Sequence, residues 1–124
     1  MREIYEFAEF FAAGWRLAYP GKAIPINDGR LDQALHEIRT SLPAKFPELL
    51  TFGTTRIGFR CYELPEILHA GFNNLLFSAP TPAHTSVDVM IDDETARILL
   101  RRRGITPQMA IECAKRIHSA IPQS

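Results

Sequence analysis

The sequence has few cysteines and no long hydrophobic run, and both absences restrict the class of protein. Its two cysteines, Cys61 and Cys113, are far apart, so the clustered spacing of a disulfide scaffold or a zinc site is missing. No apolar stretch reaches the length of a membrane span or has the form of a signal-peptide core. We therefore expect a reduced, cytoplasmic protein that does not associate with a membrane.

The sequence also lacks an excess of charge of either sign. Its 14 basic and 14 acidic residues give a formal net charge of zero. No overall field therefore favours nucleic acid, an anionic membrane or an acidic substrate. A neutral surface opposes self-association only weakly, and we expect a homodimer.

Motifs that identify a cofactor or a metal are missing too. There is no P-loop, and no G-x-G-x-x-G sequence follows a strand. The four histidines lie on different elements without zinc-ligand spacing: His36, His69, His84 and His118. The nearest approach to a metal cluster is His84 with Asp88, Asp92 and Asp93. A loop histidine beside acids at a helix N-terminus explains this cluster better, so we predict no metal and no cofactor.

The rest of the sequence alternates between helical and extended patterns within the length of one domain. At 124 residues the chain matches a single domain, residues 1–124. The predicted helices cover about 4–19, 27–42, 65–75, 93–103 and 107–121, and the strands about 49–52, 56–62 and 87–91. The predicted N-caps are Asn27 or Asp28 for the second helix, Asp92 or Asp93 for the fourth and Thr106 for the last. We predict an α+β fold with about five helices packed on a small, mostly antiparallel sheet of three short strands.

The second strand and the helix after it have clear apolar faces. Strict alternation from Arg56 to Tyr62 predicts that Ile57, Phe59 and Cys61 share a buried strand face. Residues 53–55 connect it to a hairpin partner, although a single strand bulged at Gly53 fits nearly as well. The helix that begins at Pro65 has a predicted inward set of Leu64, Ile67, Leu68, Gly71, Phe72 and Leu75.

The helix from Ile4 to Tyr19 is the most hydrophobic element, with the only tryptophan and three of the eight phenylalanines. One stripe at helical spacing is predicted core: Ile4, Phe7, Ala8, Phe11, Trp15 and Ala18. Phe10 and Leu17 form a second ridge around Ala13 and Gly14. Glycine costs a helix interior about 1 kcal/mol relative to alanine, so Gly14 predicts close approach by another backbone.

The second ridge has two interpretations. The helix is either covered on two sides by its own chain, or it presents the ridge to another protein, and we predict the second. The predicted contact residues are Tyr5, Phe10, Ala13, Gly14 and Leu17. The predicted function is a small non-enzymatic regulator, of the inhibitor or anti-activator type. Its helix would dock on a partner protein, such as a transcriptional regulator, or on a second copy.

An alternative function is DNA binding through the C-terminal helix pair, residues 93–121. Two helices joined through Gly104 have the length and turn of a helix-turn-helix. The predicted nucleic-acid contacts are Arg102, Arg103, Gln108 and Lys115. However, Leu100 stands where a small residue normally lets the two helices approach. We therefore favour a plain helical hairpin and do not expect nucleic acid to be a partner.

A third alternative is an enzyme that uses Cys61 and His69. A thiolate needs a nearby imidazole to act as a nucleophile at neutral pH. The alternation pattern instead places Cys61 on the buried strand face, and His69 lies off the apolar stripe of its helix. We therefore predict that the protein is not an enzyme.

Overall fold

The computed structural model describes residues 2–83 and 85–122. The helices in these ranges are α1 (Arg2–Ala18), α2 (Arg30–Ile38), α3 (Phe46–Leu49), α4 (Leu64–Asn73), α5 (Asp93–Arg102) and α6 (Pro107–Ala120), and a 3-10 turn (Arg39–Ser41) follows α2. The strands are β1 (Ile24–Pro25), β2 (Phe52–Thr55), β3 (Gly58–Cys61) and β4 (Ser86–Val87). The predicted α+β class is confirmed.

The predicted single sheet of three strands is wrong, because the four strands form two separate antiparallel pairs. β1 pairs with β4, and β2 pairs with β3. The outer edge of β3 is covered by α2, where a carboxylate oxygen of Asp32 accepts the backbone N–H of Cys61 at 2.7 Å. Covering an edge in this way prevents a further strand from pairing with it.

The hairpin turn also differs from the prediction. Gly53 lies within β2 opposite Arg60, and the connection consists of Arg56 and Ile57. Gly58 follows the turn with φ 111°, a conformation that glycine adopts without a steric penalty. Ile57 therefore sits at the hairpin tip and is 74% exposed, so its predicted place on a buried strand face is wrong.

Helix α1 runs through the middle of the molecule and is covered by its own chain. α4, α5 and α6 pack around it, and the ring of Phe10 lies 5.2 Å from the ring of Phe46 in α3. Phe10 is only 2% exposed, Ala13 and Gly14 are buried, and Leu17 and Tyr5 are half-buried against the core. The prediction that Phe10, Ala13, Gly14 and Leu17 form an exposed ridge is therefore wrong, and the further predicted contact residue Tyr5 is half-buried as well.

Gly14 marks the close contact that encloses α1. A Cβ atom built at this position would lie 2.6 Å from the carbonyl oxygen of Ala110. The predicted close approach of another backbone is confirmed, but that backbone belongs to α6 of the same chain. A feature that suggested a partner protein is thus explained by internal packing.

The predicted caps of the last two helices are confirmed. Asp92 accepts the N–H of Thr95 at 2.8 Å, and Thr106 accepts the N–H of Met109 at 3.1 Å. The predicted cap of α2 at Asn27 or Asp28 is wrong. Gly29, at φ 72°, occupies the N-cap without a side-chain hydrogen bond.

The C-terminal end of α4 departs from its predicted inward set. The helix ends at Asn73, and Leu75 has φ 61°, so the chain reverses direction there. Leu76 and Phe77 enter the core, whereas Phe72 and Leu75 are exposed. The prediction that Phe72 and Leu75 face inward is wrong. Leu75 lies beyond the end of a helix that was expected to be longer, and Phe72 lies within α4 on a side that the rest of the chain leaves open.

None of the helices described in residues 2–83 and 85–122 is both long enough and apolar enough to cross a membrane.

The Gly14 contact predicts the sign of a stability change. Helix propensity alone predicts that Gly14→Ala stabilises the protein by about 1 kcal/mol. Because the new methyl group meets the Ala110 carbonyl, we expect a loss of about 1–3 kcal/mol instead. Urea denaturation followed by circular dichroism measures the difference, with Ser119→Ala on the exposed face of α6 as the control. A stabilised Gly14→Ala variant would contradict this packing of α1 against α6.

Candidate functional site

A groove of about 790 Å³ opens between the β2–β3 hairpin, α4 and the segment around residues 78–80. We call it the hairpin groove. Its apolar lining comprises Ile26, Ile57, Leu64, Pro65, Leu68, Phe72, Ala79, Pro80 and Val87. Its polar lining comprises Asp32, Thr55, Arg56, Arg60, Cys61, Tyr62, His69 and Ser78. Grooves of this volume are in the range that holds a ligand or a peptide segment.

Local backbone geometry brings three large apolar side chains to the rim of the groove. The two-residue turn lifts Ile57 to the hairpin tip. The ring of Tyr62 lies across the opposite strand, where a Cβ atom at Gly53 would collide with its hydroxyl group. Phe72 extends from α4 and is 47% exposed. Several large exposed apolar side chains around one groove are typical of interaction surfaces.

Two arginines and one buried carboxylate supply the charge of the groove. Asp32 is 3% exposed and accepts the Cys61 N–H. Arg60 donates one hydrogen bond from Nη1 to the carbonyl of Phe59 at 2.9 Å. In the described part of the chain, neither Arg56 nor Arg60 lies within ion-pair distance of a carboxylate.

Cys61 and His69 both line the hairpin groove. The thiol of Cys61 donates to Glu63 Oε1 at 3.8 Å, and Nε2 of His69 lies 3.0 Å from the amide nitrogen of Asn73. Burial raises the pKa of Cys61 to about 12, with a further contribution from the Glu63 charge. The thiol therefore stays protonated at neutral pH, and the geometry does not provide an activated nucleophile.

In residues 2–83 and 85–122, no group of three or more His, Cys, Asp or Glu side chains is placed so that it could bind a metal ion. His84, which the sequence associates with Asp88, Asp92 and Asp93, lies outside the described residues.

The predicted partner-binding residue Tyr5 lies beside a buried ion pair. Glu9 is 1% exposed, and its Oε1 accepts Nη2 of Arg103 at 2.6 Å and Nε at 3.0 Å. Burial raises the pKa of Tyr5, and its hydrogen bond to Glu9 raises it further. The Glu9 hydrogen bond also raises the pKa of Arg103. This cluster connects α1 to the end of α5.

The ion pair removes Arg103 from the predicted nucleic-acid contacts, because its guanidinium group is engaged with Glu9 and Glu6. Arg102 and Lys115 are exposed, and Gln108 donates to Glu112 at 3.4 Å. α5 and α6 pack mainly against α1 rather than against each other, unlike the paired helices of a helix-turn-helix. DNA binding through Arg102, Gln108 and Lys115 therefore stays the less favoured alternative to a protein-binding function.

The sequence singles out Cys61 and His69 of the hairpin groove, but the exposure of Ile57 and Phe72 escaped the sequence-based prediction for a specific reason. Alternation assigned Ile57 to a buried face, and helical spacing assigned Phe72 to the core. The one signal in the sequence was Arg56-Ile57-Gly58, in which a glycine can follow a two-residue turn. The periodicity of the strand outweighed that signal.

Comparison of the chain with known protein families, with curated proteins and with solved structures finds no match.

The raised pKa of Cys61 predicts slow alkylation. Its ordinary value is 9.0 and its value here is about 12, so the thiolate is scarce at neutral pH. We expect iodoacetamide to label Cys61 at least about a hundredfold more slowly in the folded protein than in urea. Peptide mass spectrometry measures the labelling, with Cys113 as an internal comparison. Faster labelling of Cys61 in the folded state would indicate an activated thiol and revive the enzyme alternative.

The Glu9–Arg103 pair predicts a large stability loss when one partner is removed. Arg103→Met leaves a buried carboxylate without its cation, and we expect a loss of about 3 kcal/mol in the free energy of unfolding. Arg102→Met, the exposed neighbour, is the matched control and should change little. The double variant Glu9→Leu with Arg103→Met should recover most of the loss. Equal effects of the two single arginine variants would show that the pair contributes nothing specific.

Proposed function

We propose that this protein is a protein-binding module of the regulatory kind predicted from the sequence, and that it docks through the hairpin groove. The occupant is an apolar segment of a partner protein. The proposal keeps the predicted class of function and moves the docking surface from α1 to the groove, because α1 is enclosed by its own chain. The observation that carries the proposal is the exposed apolar rim formed by Ile57, Tyr62 and Phe72.

The position of these side chains favours a protein segment over a small molecule. A small molecule within the groove would leave the outer faces of Ile57 and Tyr62 in water. A protein segment that crosses the rim covers them as well. Interfaces between proteins are enriched in aromatic residues and arginine, and the groove contributes Tyr62, Phe72, Arg56 and Arg60.

The size of the rim limits the affinity. Complete burial of one large apolar side chain contributes roughly 1.5–3 kcal/mol, and Phe72 and Tyr62 are already partly covered. Association costs roughly 4–15 kcal/mol in lost translational and rotational freedom. Three such anchors contribute at most about 9 kcal/mol, and at most about 5 kcal/mol remains after the smallest association cost, which corresponds to a dissociation constant of roughly 0.2 mM. A tighter complex therefore requires contacts beyond the rim.

Peptide display tests the proposal and does not require the partner to be identified first. A library of random peptides of about 16 residues, long enough for an amphipathic helix of four turns, is selected on the wild-type protein. We expect selected peptides to share apolar anchors at helical or alternating spacing. Synthetic copies should bind in fluorescence polarisation, and Phe72→Asp should weaken them at least about tenfold.

The matched controls are Ile98→Asp and Met109→Asp, since both residues are exposed apolar side chains outside the groove. Neither variant should change peptide binding. Peptides that lose affinity in the controls but not in Phe72→Asp would place the docking surface elsewhere. Light scattering of wild type and Phe72→Asp tests a second copy as the occupant, which would appear as a dimer that the variant disrupts.

A further inference from the structure

We infer that the segment held in the hairpin groove is acidic and that it places a carboxylate against Arg56 and Arg60. This inference rests on the proposed function, since it requires that the groove binds a partner protein. The structural observation is that both arginines line the groove and that neither has an acidic partner among residues 2–83 and 85–122.

Most donor groups of the two arginines are unused. A guanidinium group carries five N–H donors. The side chain of Arg56 makes no hydrogen bond within the described ranges, and that of Arg60 makes one, to the Phe59 carbonyl. Unpaired arginines are not unique to the groove, since the exposed Arg97, Arg101 and Arg102 also lack an ion pair in the described ranges. Arg56 and Arg60 differ from them in lying beside an apolar lining. The groove therefore presents positive charge that the fold itself does not neutralise.

The Arg60 side chain is held in a defined position. A Cβ atom built at Gly29 would collide with Nη1 of Arg60. A Cβ atom built at Gly58 would lie 3.5 Å from the same Nη1 atom. Both glycines have positive φ, at 72° and 111°. The absence of a side chain at Gly29 leaves space for the guanidinium group beside the hairpin, whereas the distance at Gly58 is an ordinary contact. A preorganised arginine binds a carboxylate at a lower entropic cost than a mobile one.

The acidic groups near the groove do not cancel this charge at its rim. Asp32 is almost completely buried and accepts the Cys61 N–H. The carboxylate of Glu63 accepts two hydrogen bonds from Thr51, one from its backbone N–H at 2.7 Å and one from its hydroxyl group at 2.5 Å. Among the described residues that line the groove, Asp32 is the one carboxylate. Asp28, which precedes the Gly29 that Arg60 contacts, pairs with Arg30 at 3.9 Å. An incoming segment therefore meets positive charge beside an apolar surface.

Within residues 2–83 and 85–122, the most acidic exposed segment is already engaged in contacts of the fold. Residues 88–93 combine the exposed Met90 with three aspartates. Asp92 caps α5, however, and Asp93 pairs with Arg16 at 2.8 Å. The exposed faces of α5 and α6 carry more basic than acidic side chains. Charge complementarity therefore favours a foreign segment over a second copy.

Three matched display libraries test the charge of the segment. All three keep the same apolar anchor positions, and the remaining positions carry Asp and Glu, Lys and Arg, or Gln and Ser. We expect binders to wild-type protein to come from the acidic library. Their affinity should fall at least about tenfold in Arg56→Glu with Arg60→Glu, and should weaken between about 0.05 M and about 0.5 M salt. The double variant should instead select the basic library.

The control is Arg97→Glu with Arg101→Glu, which reverses two exposed charges on α5 outside the groove and should leave the acidic peptides bound. If the Arg60 substitution disturbs the fold in circular dichroism, Arg56→Glu alone tests the same point. Binders that come equally from all three libraries and are lost in Phe72→Asp would overturn the acidic segment while leaving the proposed function in place. Absence of binders from every library would overturn both. Self-association that Arg56→Glu abolishes would replace the foreign segment with a second copy.

Discussion

The contact between Gly14 of α1 and the backbone of Ala110 in α6 is the constraint on which the rest of the arrangement depends. Without a Cβ atom at Gly14, the two helices approach closely enough to put α1 in the centre of the molecule. α4 and α5 then complete its enclosure. A helix with apolar residues on two faces is stable in water only when both faces are covered, and here one chain covers both.

Enclosing α1 has an electrostatic consequence. Glu9 lies on a buried turn of the helix, and a buried carboxylate is tolerated when a cation and hydrogen bonds accompany it. Arg103 provides both through two bonds to one oxygen. The requirement of the core therefore determines the role of an arginine that the sequence alone associates with the basic end of a helix. Its neighbour Arg102 remains at the surface.

The hairpin groove is related to the small size of the two β-sheets, each of which has two strands. α2 covers the outer edge of β3, and the two strand pairs remain separate. The space between the hairpin and α4 is therefore bounded by side chains rather than filled by another strand. Because Ile57, Tyr62 and Phe72 contribute little to the core, their exposure needs a reason other than stability. In the proposed function, a docking surface with two uncompensated arginines supplies that reason.

Local chemistry explains what the sequence determined by itself. The fold class, the caps at Asp92 and Thr106, and the buried stripe of α1 were all predicted, because caps and helical periodicity depend on neighbours within a few residues. The close approach at Gly14 was also predicted from its cost in a helix. Only the tertiary structure decided that α6 makes this approach. It likewise placed the β2–β3 hairpin, α4 and the segment around residues 78–80 next to one another, which forms the groove. Those outcomes depend on contacts between residues distant in sequence, and such contacts override periodicity where local preferences are nearly balanced.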